Sequence, residues 1–369
     1  MKSNNKGISM VLAALLIVII VVAVVGAYGW VRPLPQPTTE AVTLEEKAQR
    51  EGALTIYGVM DSPDFAAKVK PAFEQQYPWA AGMISYVGLS PSEIATRALS
   101  EYTAGHVQAD VLVDTLGSLT SALIGGVAEN YTNPMVRLMN YTAGTYETNG
   151  QWTVGFGLPI VVVYNTQLVG GTGQPPVPTS WQNLTNAVWS GKIALDDPKT
   201  LNVAGSVFAH LYPILGNASW TSLMQGIKAN NPVLTTSAGT SFTKVASGES
   251  YIATGLINDY LAGIKQVPPI NVAIAWIPPV TSLPIVTSLC KNAPHPNFAK
   301  LFIQWFASAA GQYAIANTGR VPMHGPLAAG TILAGVLPAG VTIAGAASNN
   351  PDYYINPTKW SNAYQKIFG

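Results

Sequence analysis

Charge is what this sequence has least of: Asp, Glu, Lys and Arg make up 10% of its 369 residues, against about 25% in ordinary soluble domains. Its surface must therefore be covered mainly by neutral polar groups. A formal net charge of +1 leaves no basic excess to neutralise phosphates, so no nucleic-acid partner is expected. The single cysteine, Cys290, excludes a disulfide scaffold and a paired-cysteine metal site. It lies in the apolar stretch from Leu283 to Cys290 and reads as an inert buried thiol. Only four histidines occur (His106, His210, His295 and His324), scattered along the chain, and GxSxG, HExxH and P-loop motifs are all missing. Hydrolase and ATPase chemistry thus lack their usual residues, no enzyme is expected, and no cofactor is called for. No repeat of solenoid period is visible. What is plentiful is apolar residue content, 48%, enough at this length to bury a large core and to favour two domains.

The N-terminus is set apart. Lys2 and Lys6 precede an uncharged run from Ile8 to Val31, longer than the roughly 18 to 20 apolar residues that span a bilayer. The next positive charge is Arg32, which predicts an inside N-terminus and an exported body on a transmembrane helix. A cleaved secretory signal is the alternative, whereas a lipoprotein anchor is excluded because no cysteine follows the run. The junction Lys6-Gly7-Ile8-Ser9 resembles an archaeal class III, pilin-like signal, which implies cleavage between Gly7 and Ile8 with the apolar helix retained. Arg32 to Thr39 is a Pro-rich spacer, and sequons at Asn130, Asn140, Asn183 and Asn217 fit export.

The globular part begins with capping-box spacing at Thr43-Leu-Glu-Glu46 and a short helix ending near Gly52. Short apolar strands then alternate with amphipathic helices: strand 53–57, helix 62–77, strand 83–87, helix 91–102 and strand 110–114. After a long strand-forming stretch, 152–164, the pattern restarts with strand 192–195, helical segments 203–211 and 219–229, and strand 251–255. Residues 272–276 return the chain, Phe298, Leu301, Phe302, Trp305 and Phe306 mark a core-facing helix, and 357–368 predicts a closing helix. Such alternation argues for α/β sheets covered on both faces.

Five phrases taken in order resemble the type 2 periplasmic binding proteins, particularly the ferric-iron-binding-like subgroup of ABC-transporter substrate-binding proteins. They are Glu51-Gly-Ala-Leu-Thr-Ile-Tyr57, Gly88-Leu-Ser-Pro-Ser-Glu93, Val245-Ala-Ser-Gly-Glu249, His295-Pro-Asn-Phe-Ala-Lys-Leu301 and Thr318-Gly-Arg-Val-Pro322. The resemblance implies a two-lobed Venus-flytrap α/β fold. Lobe 1 would comprise 43–163 and 277–369, lobe 2 would comprise 164–276, with two crossover strands as the hinge. It further implies extracellular capture of a small polar or anionic solute, delivery to an ABC permease, and, together with the N-terminus, membrane anchoring of an archaeal protein. A structural pilin-like or surface subunit is the rival class, and pilin-like assembly of a binding protein is compatible with both.

Ligands of open α/β sheets bind beyond the carboxyl ends of strands, where helix N-termini present unpaired N–H groups. The candidates are Asp61 and Ser62 after the first strand, Ser90 and Ser92 at a helix start, and Thr115 after the third strand. The second unit offers Thr236, Ser237, Thr240 and Ser241 before a helix, with Asn258 and Tyr260 after a strand. Any one of these residues could be an ordinary helix cap, but the run from Thr235 to Ser241 holds five hydroxyls where a cap needs one. Ferric-iron relatives typically place two consecutive tyrosines at the position of Tyr260-Leu261 and a His at that of Asp61; Tyr260 and Asp61 are the metal ligands if iron is bound, and otherwise no metal is expected.

Overall fold

The computed structural model describes residues 42–141, 144–201, 203–323, 335–341, 352–353 and 356–369. The anchor helix, the Gly7–Ile8 junction, the spacer and most of the Gly/Ala-rich stretch 325–347 lie outside the described residues. Among the described residues no helix is long and apolar enough to cross a membrane.

The helix Leu44–Glu51 leads into β1 (Leu54–Gly58), which pairs in parallel with β2 (Ile84–Gly88) and β3 (Val111–Thr115). Interior parallel strands are covered on both faces and so read as continuous apolar runs; Val111, Leu112 and Val113 are all buried. Beyond β3 the sheet turns antiparallel through β9 (Thr281–Leu289), which pairs with β3 from Val111↔Leu289 to Thr115↔Ile285 and then with β4 (Thr153–Asn165). The sequence reading assigned no strand to 281–289, because a run buried on both faces has no alternation to mark it.

β4 is long because two sets of strands pair with it end to end within one sheet. Thr153 to Ile160 pair with β9, and Ile160 to Tyr164 pair with β7 (Ile252–Leu256). On the same far portion, β8 (Val272–Ala275) also pairs with β4. β7 continues in parallel into β5 (Ile193–Asp196) and β6 (Val233–Thr235), so the sheet order is β2-β1-β3-β9-β4-β7-β5-β6. The short β10 (Val321–Pro322) pairs with the first portion of β4. The register shifts at Gly155, where a Cβ would stand 2.6 Å from the Phe306 ring; the missing side chain is what lets that ring lie on the strand.

Each end of β4 carries its own core. On the first, the helix Pro296–Ala307 buries Phe298, Phe302 and Trp305 against Phe73 and Phe306 against Phe156. Its start is tied down by Glu51, whose carboxylate accepts from the N–H groups of Asn297 (3.0 Å) and Phe298 (2.8 Å), two of the four donors that a helix start leaves without intrahelical partners. On the second, the two helical segments expected at 203–211 and 219–229 are there, joined within Val203–Ala229 across a non-helical break at Gly216 with φ 74° and ψ 163°.

The closing helix Pro357–Phe368, expected in one lobe with 43–163 and the rest of 277–369, packs on Val203–Ala229 at the other end of β4. Tyr364 Oη donates to Gly205 O (2.6 Å) and Ser361 Oγ to Lys199 O (3.1 Å). Trp360 meets Tyr212 and Trp220 edge to face at 5.5 and 5.9 Å. Gly205 carries no Cβ, and one there would stand 2.5 Å from the Pro198 carbonyl oxygen, so the glycine lets the start of Val203–Ala229 lie close on Pro198–Thr200 beside the aromatic seat.

Candidate functional site

The carboxyl ends of β1 and β3 and those of β6 and β7 feed loops that meet in one cavity of about 600 Å³, within the usual range for small-molecule sites. Its apolar wall is built by Phe156 and Leu158 of β4 with Leu283 and Ile285 of β9. Three helix starts supply six of its hydroxyl residues. Ser90 and Ser92 stand at the head of Pro91–Thr103, Thr115 and Ser118 at that of Leu116–Ile124, and Thr236 and Ser237 at that of Ala238–Ala246. Helix starts present unpaired N–H groups and the positive end of the helix dipole, a setting suited to oxyanions.

Seven of the eleven residues singled out from sequence line this cavity: Asp61, Ser90, Ser92, Thr115, Thr236, Ser237 and Asn258. The other four do not. Ser62 is exposed behind the strand ends, its hydroxyl against Gly88. Thr240 hydrogen-bonds to the Ser237 hydroxyl (2.9 Å) and faces an outer groove. Ser241 is buried on Thr235 Oγ1 at 2.7 Å. Tyr260 packs into apolar clusters with Ile274 and Trp276. The run Thr235 to Ser241 therefore divides between lining, cap and core, because a helix start turns successive side chains through about 100° each.

Arg320 went unassigned in the sequence reading, although it lies within one of the phrases that carry the resemblance. It lines the cavity with its side chain 3% exposed. Its Nη1 donates to Asp64 (2.9 Å), its Nη2 to Asp61 (3.2 Å), and its guanidinium lies 5.8 Å from the Phe156 ring centre. Nε is buried with no partner. Tyr353, Leu201 and Thr200 were also missed; Tyr353 Oη donates to Leu201 O (2.6 Å), which brings the C-terminal segment into the cavity wall. No local pattern marks a residue that arrives from 150 positions away.

The carboxylates around the site differ in setting. Burial pushes Asp64 up, but Arg320 and Lys68 outweigh it and hold Asp64 below the usual range. Asp259, another lining residue, is pushed up to about 6, first by burial and then by the negative charge of Asp61. Asp114, directly behind Thr115, is raised to about 8 by burial, which overcomes the hydrogen bond from the Thr115 N–H. Among the described residues no group of three or more His, Cys, Asp or Glu is placed to hold a metal ion. Asp61 and Tyr260, the pair named for iron, do not both face the cavity.

Comparisons with known proteins agree with this architecture. The chain is 28% identical over 178 residues to the phosphoglycerate transport regulatory protein PgtC of Salmonella typhimurium, covering 47% of this chain and 42% of that one. It is 22% identical over 295 residues to a putative 2-aminoethylphosphonate-binding periplasmic protein of Salmonella typhi, covering 73% and 83%. The chain spans about half the length of the first curated relatives it matches, 51% and 42%. Among solved structures, iron-bound HitA of Pseudomonas aeruginosa superposes with a TM-score of 0.63 at 18% identity, over 85% of this chain and 99% of that one. The periplasmic binding protein AfuA of Actinobacillus pleuropneumoniae, bound to fructose-6-phosphate, gives 0.65 at 18%, over 86% and 98%. The fold is thus the mixed α/β fold of periplasmic binding proteins. Residues 117–335 match the model of the bacterial extracellular solute-binding proteins, and the chain belongs to that family.

Proposed function

We propose that this protein captures a small, polar, oxyanion-bearing solute between two lobes and delivers it to an ABC permease, without chemistry. In this reading lobe 1 is 43–163 with 277–323, lobe 2 is 164–276 with the closing segment 352–369, and β4 with the return at 275–281 is the hinge. The observation that carries the reading is convergence: loops from both ends of β4 line one cavity, with three helix starts among them. Related proteins named for phosphoglycerate transport, 2-aminoethylphosphonate and fructose-6-phosphate fit an oxyanion ligand. Iron is less well served, since Tyr260 lies among apolar side chains. The apolar run 8–31 would anchor the protein on the outer face of the membrane, after cleavage between Gly7 and Ile8.

The test is thermal unfolding of the full chain in detergent micelles against ferric citrate, phosphate, phosphorylated and phosphonate compounds, carboxylates and sugars. A ligand at 100 times its dissociation constant adds about 2.7 kcal/mol. Selective stabilisation by an oxyanion compound, lost in Thr115→Ala/Ser237→Ala, is expected. Stabilisation by ferric ion alone would replace the oxyanion with iron, and no response to any compound would end the capture reading. Mass spectrometry of the mature N-terminus and resistance to alkaline extraction check the anchor.

A further inference from the structure

The charges around the cavity do not balance. Three charged residues line it: Asp61, Asp259 and Arg320. Arg320 is committed to Asp61 and Asp64, and Asp64 is shared with Lys68 at 3.1 Å. Two cations therefore match two carboxylates, and Asp259 is left over with no ion pair among the described residues. No lysine lines the cavity. The carboxylate of Asp61 is itself 68% exposed, held by the arginine from one side only. A solute carrying only negative charge would enter a site whose one positive side chain is already neutralised and whose unmatched charge is negative.

The same lining also asks for an anion. The six hydroxyl residues sit at three helix starts from both ends of β4, where the field is positive. One ligand class answers both demands. We propose that the solute is a small dipolar ion, whose ammonium group is held between Asp61 of lobe 1 and Asp259 of lobe 2 and whose oxyanion is held by the helix starts. This rests on the capture reading and narrows its ligand. The raised proton affinity of Asp259, caused by burial and by Asp61, is that of a carboxylate facing a negative neighbour with no cation, and the ammonium supplies that cation. Because the two carboxylates come from opposite lobes, they oppose closure when the site is empty and favour it when a cation lies between them. The ligand then binds the closed state better, as a population shift requires.

Calorimetric titration of the full chain in detergent tests this with probes that differ only in the amine: 2-aminoethylphosphonate against ethylphosphonate, and β-alanine against propionate. At least one amine-bearing probe should bind tenfold or more tighter than its counterpart. Asp259→Asn, which keeps shape and removes charge, should bring that ratio close to one while ethylphosphonate binds as well as before or better. Equal or tighter binding of the des-amino probes, or binding of only fructose-6-phosphate or ferric citrate, overturns the ammonium subsite and leaves capture standing. Silence toward every probe removes both.

Discussion

The two ends of β4 close their cores in opposite ways. The first packs the helix Pro296–Ala307 against Phe73, and Glu51 and Asp110 fasten the start of that helix; Asp110 accepts from the His295 N–H at 2.6 Å. The second is left open by its own strands and helices and is closed by Tyr353, Trp360 and Tyr364, which lie more than 100 residues beyond the helix Val203–Ala229 they pack on. The difference teaches that the second end depends on a distant segment both for stability and for part of its ligand wall. The first end is complete without that segment.

The largest effect should come from emptying each aromatic core in turn. Trp305 is 2% exposed and Trp360 3%, and truncating either to Ala should cost about 3–5 kcal/mol. Amide exchange in the two variants distinguishes the ends. Trp360→Ala should release protection over 203–229 while sparing β1 and β3, and Trp305→Ala should do the reverse. Release across both ends in both variants would mean that they unfold as one unit, and the comparison would fail.

Where contacts are local the sequence was legible, and where they are long-range it was not. The stripe Phe298, Phe302, Trp305 and Phe306 has helical spacing, and the helix is there. Two of the phrases that carry the family resemblance, at Glu51 and at His295-Pro-Asn-Phe298, turn out to be one contact, a carboxylate capping a helix start. By contrast, 281–289 is apolar and polar without period because both of its faces are buried. The closing helix 357–368 was found, but amphipathicity says which face is buried and not against what. The site followed the same rule. Strand-end loops put Asp61, Ser90, Thr115 and Ser237 in the cavity, whereas Arg320 and Tyr353 enter from elements whose neighbours only the fold decides.

A middle-sized effect separates the buried acids of the two ends. Asp114 holds its proton up to about 8 in the folded chain against 3.8 for a free side chain, while Asp196 at the other end reaches only about 6. Between those values the native state binds a proton that the unfolded state has released, so stability falls as pH rises. From pH 6.5 to 8 Asp196 and Asp259, at about 6, are largely ionised, and His210, pushed down to about 3 by burial, is neutral in the native chain. Asp114 should then lower stability by about 2 kcal/mol across that window, at roughly 1.4 kcal/mol per unit. Denaturant midpoints measured at both pH values should show the fall in the unaltered chain and lose it in Asp114→Asn. A slope that survives the substitution would move the buried proton elsewhere.

The smallest effect bears most directly on function, since Thr115 and Ser237 are one cap from each end of β4 and both line the cavity. Thr115 Oγ1 accepts from the Ser118 N–H and Ser237 Oγ from the Thr240 N–H, each at 3.2 Å. Replacing either with Ala should cost about 1 kcal/mol of stability, the ordinary price of a cap. If that were their whole role, ligand affinity would stay within about twofold in both variants. If the hydroxyls and the N–H groups they order hold the oxyanion, affinity should fall five- to tenfold for each substitution, and by a similar factor at both ends, because a closed cleft needs both walls. Loss confined to Ser237→Ala would place the anion on lobe 2 alone and leave lobe 1 to supply only the carboxylate of Asp61.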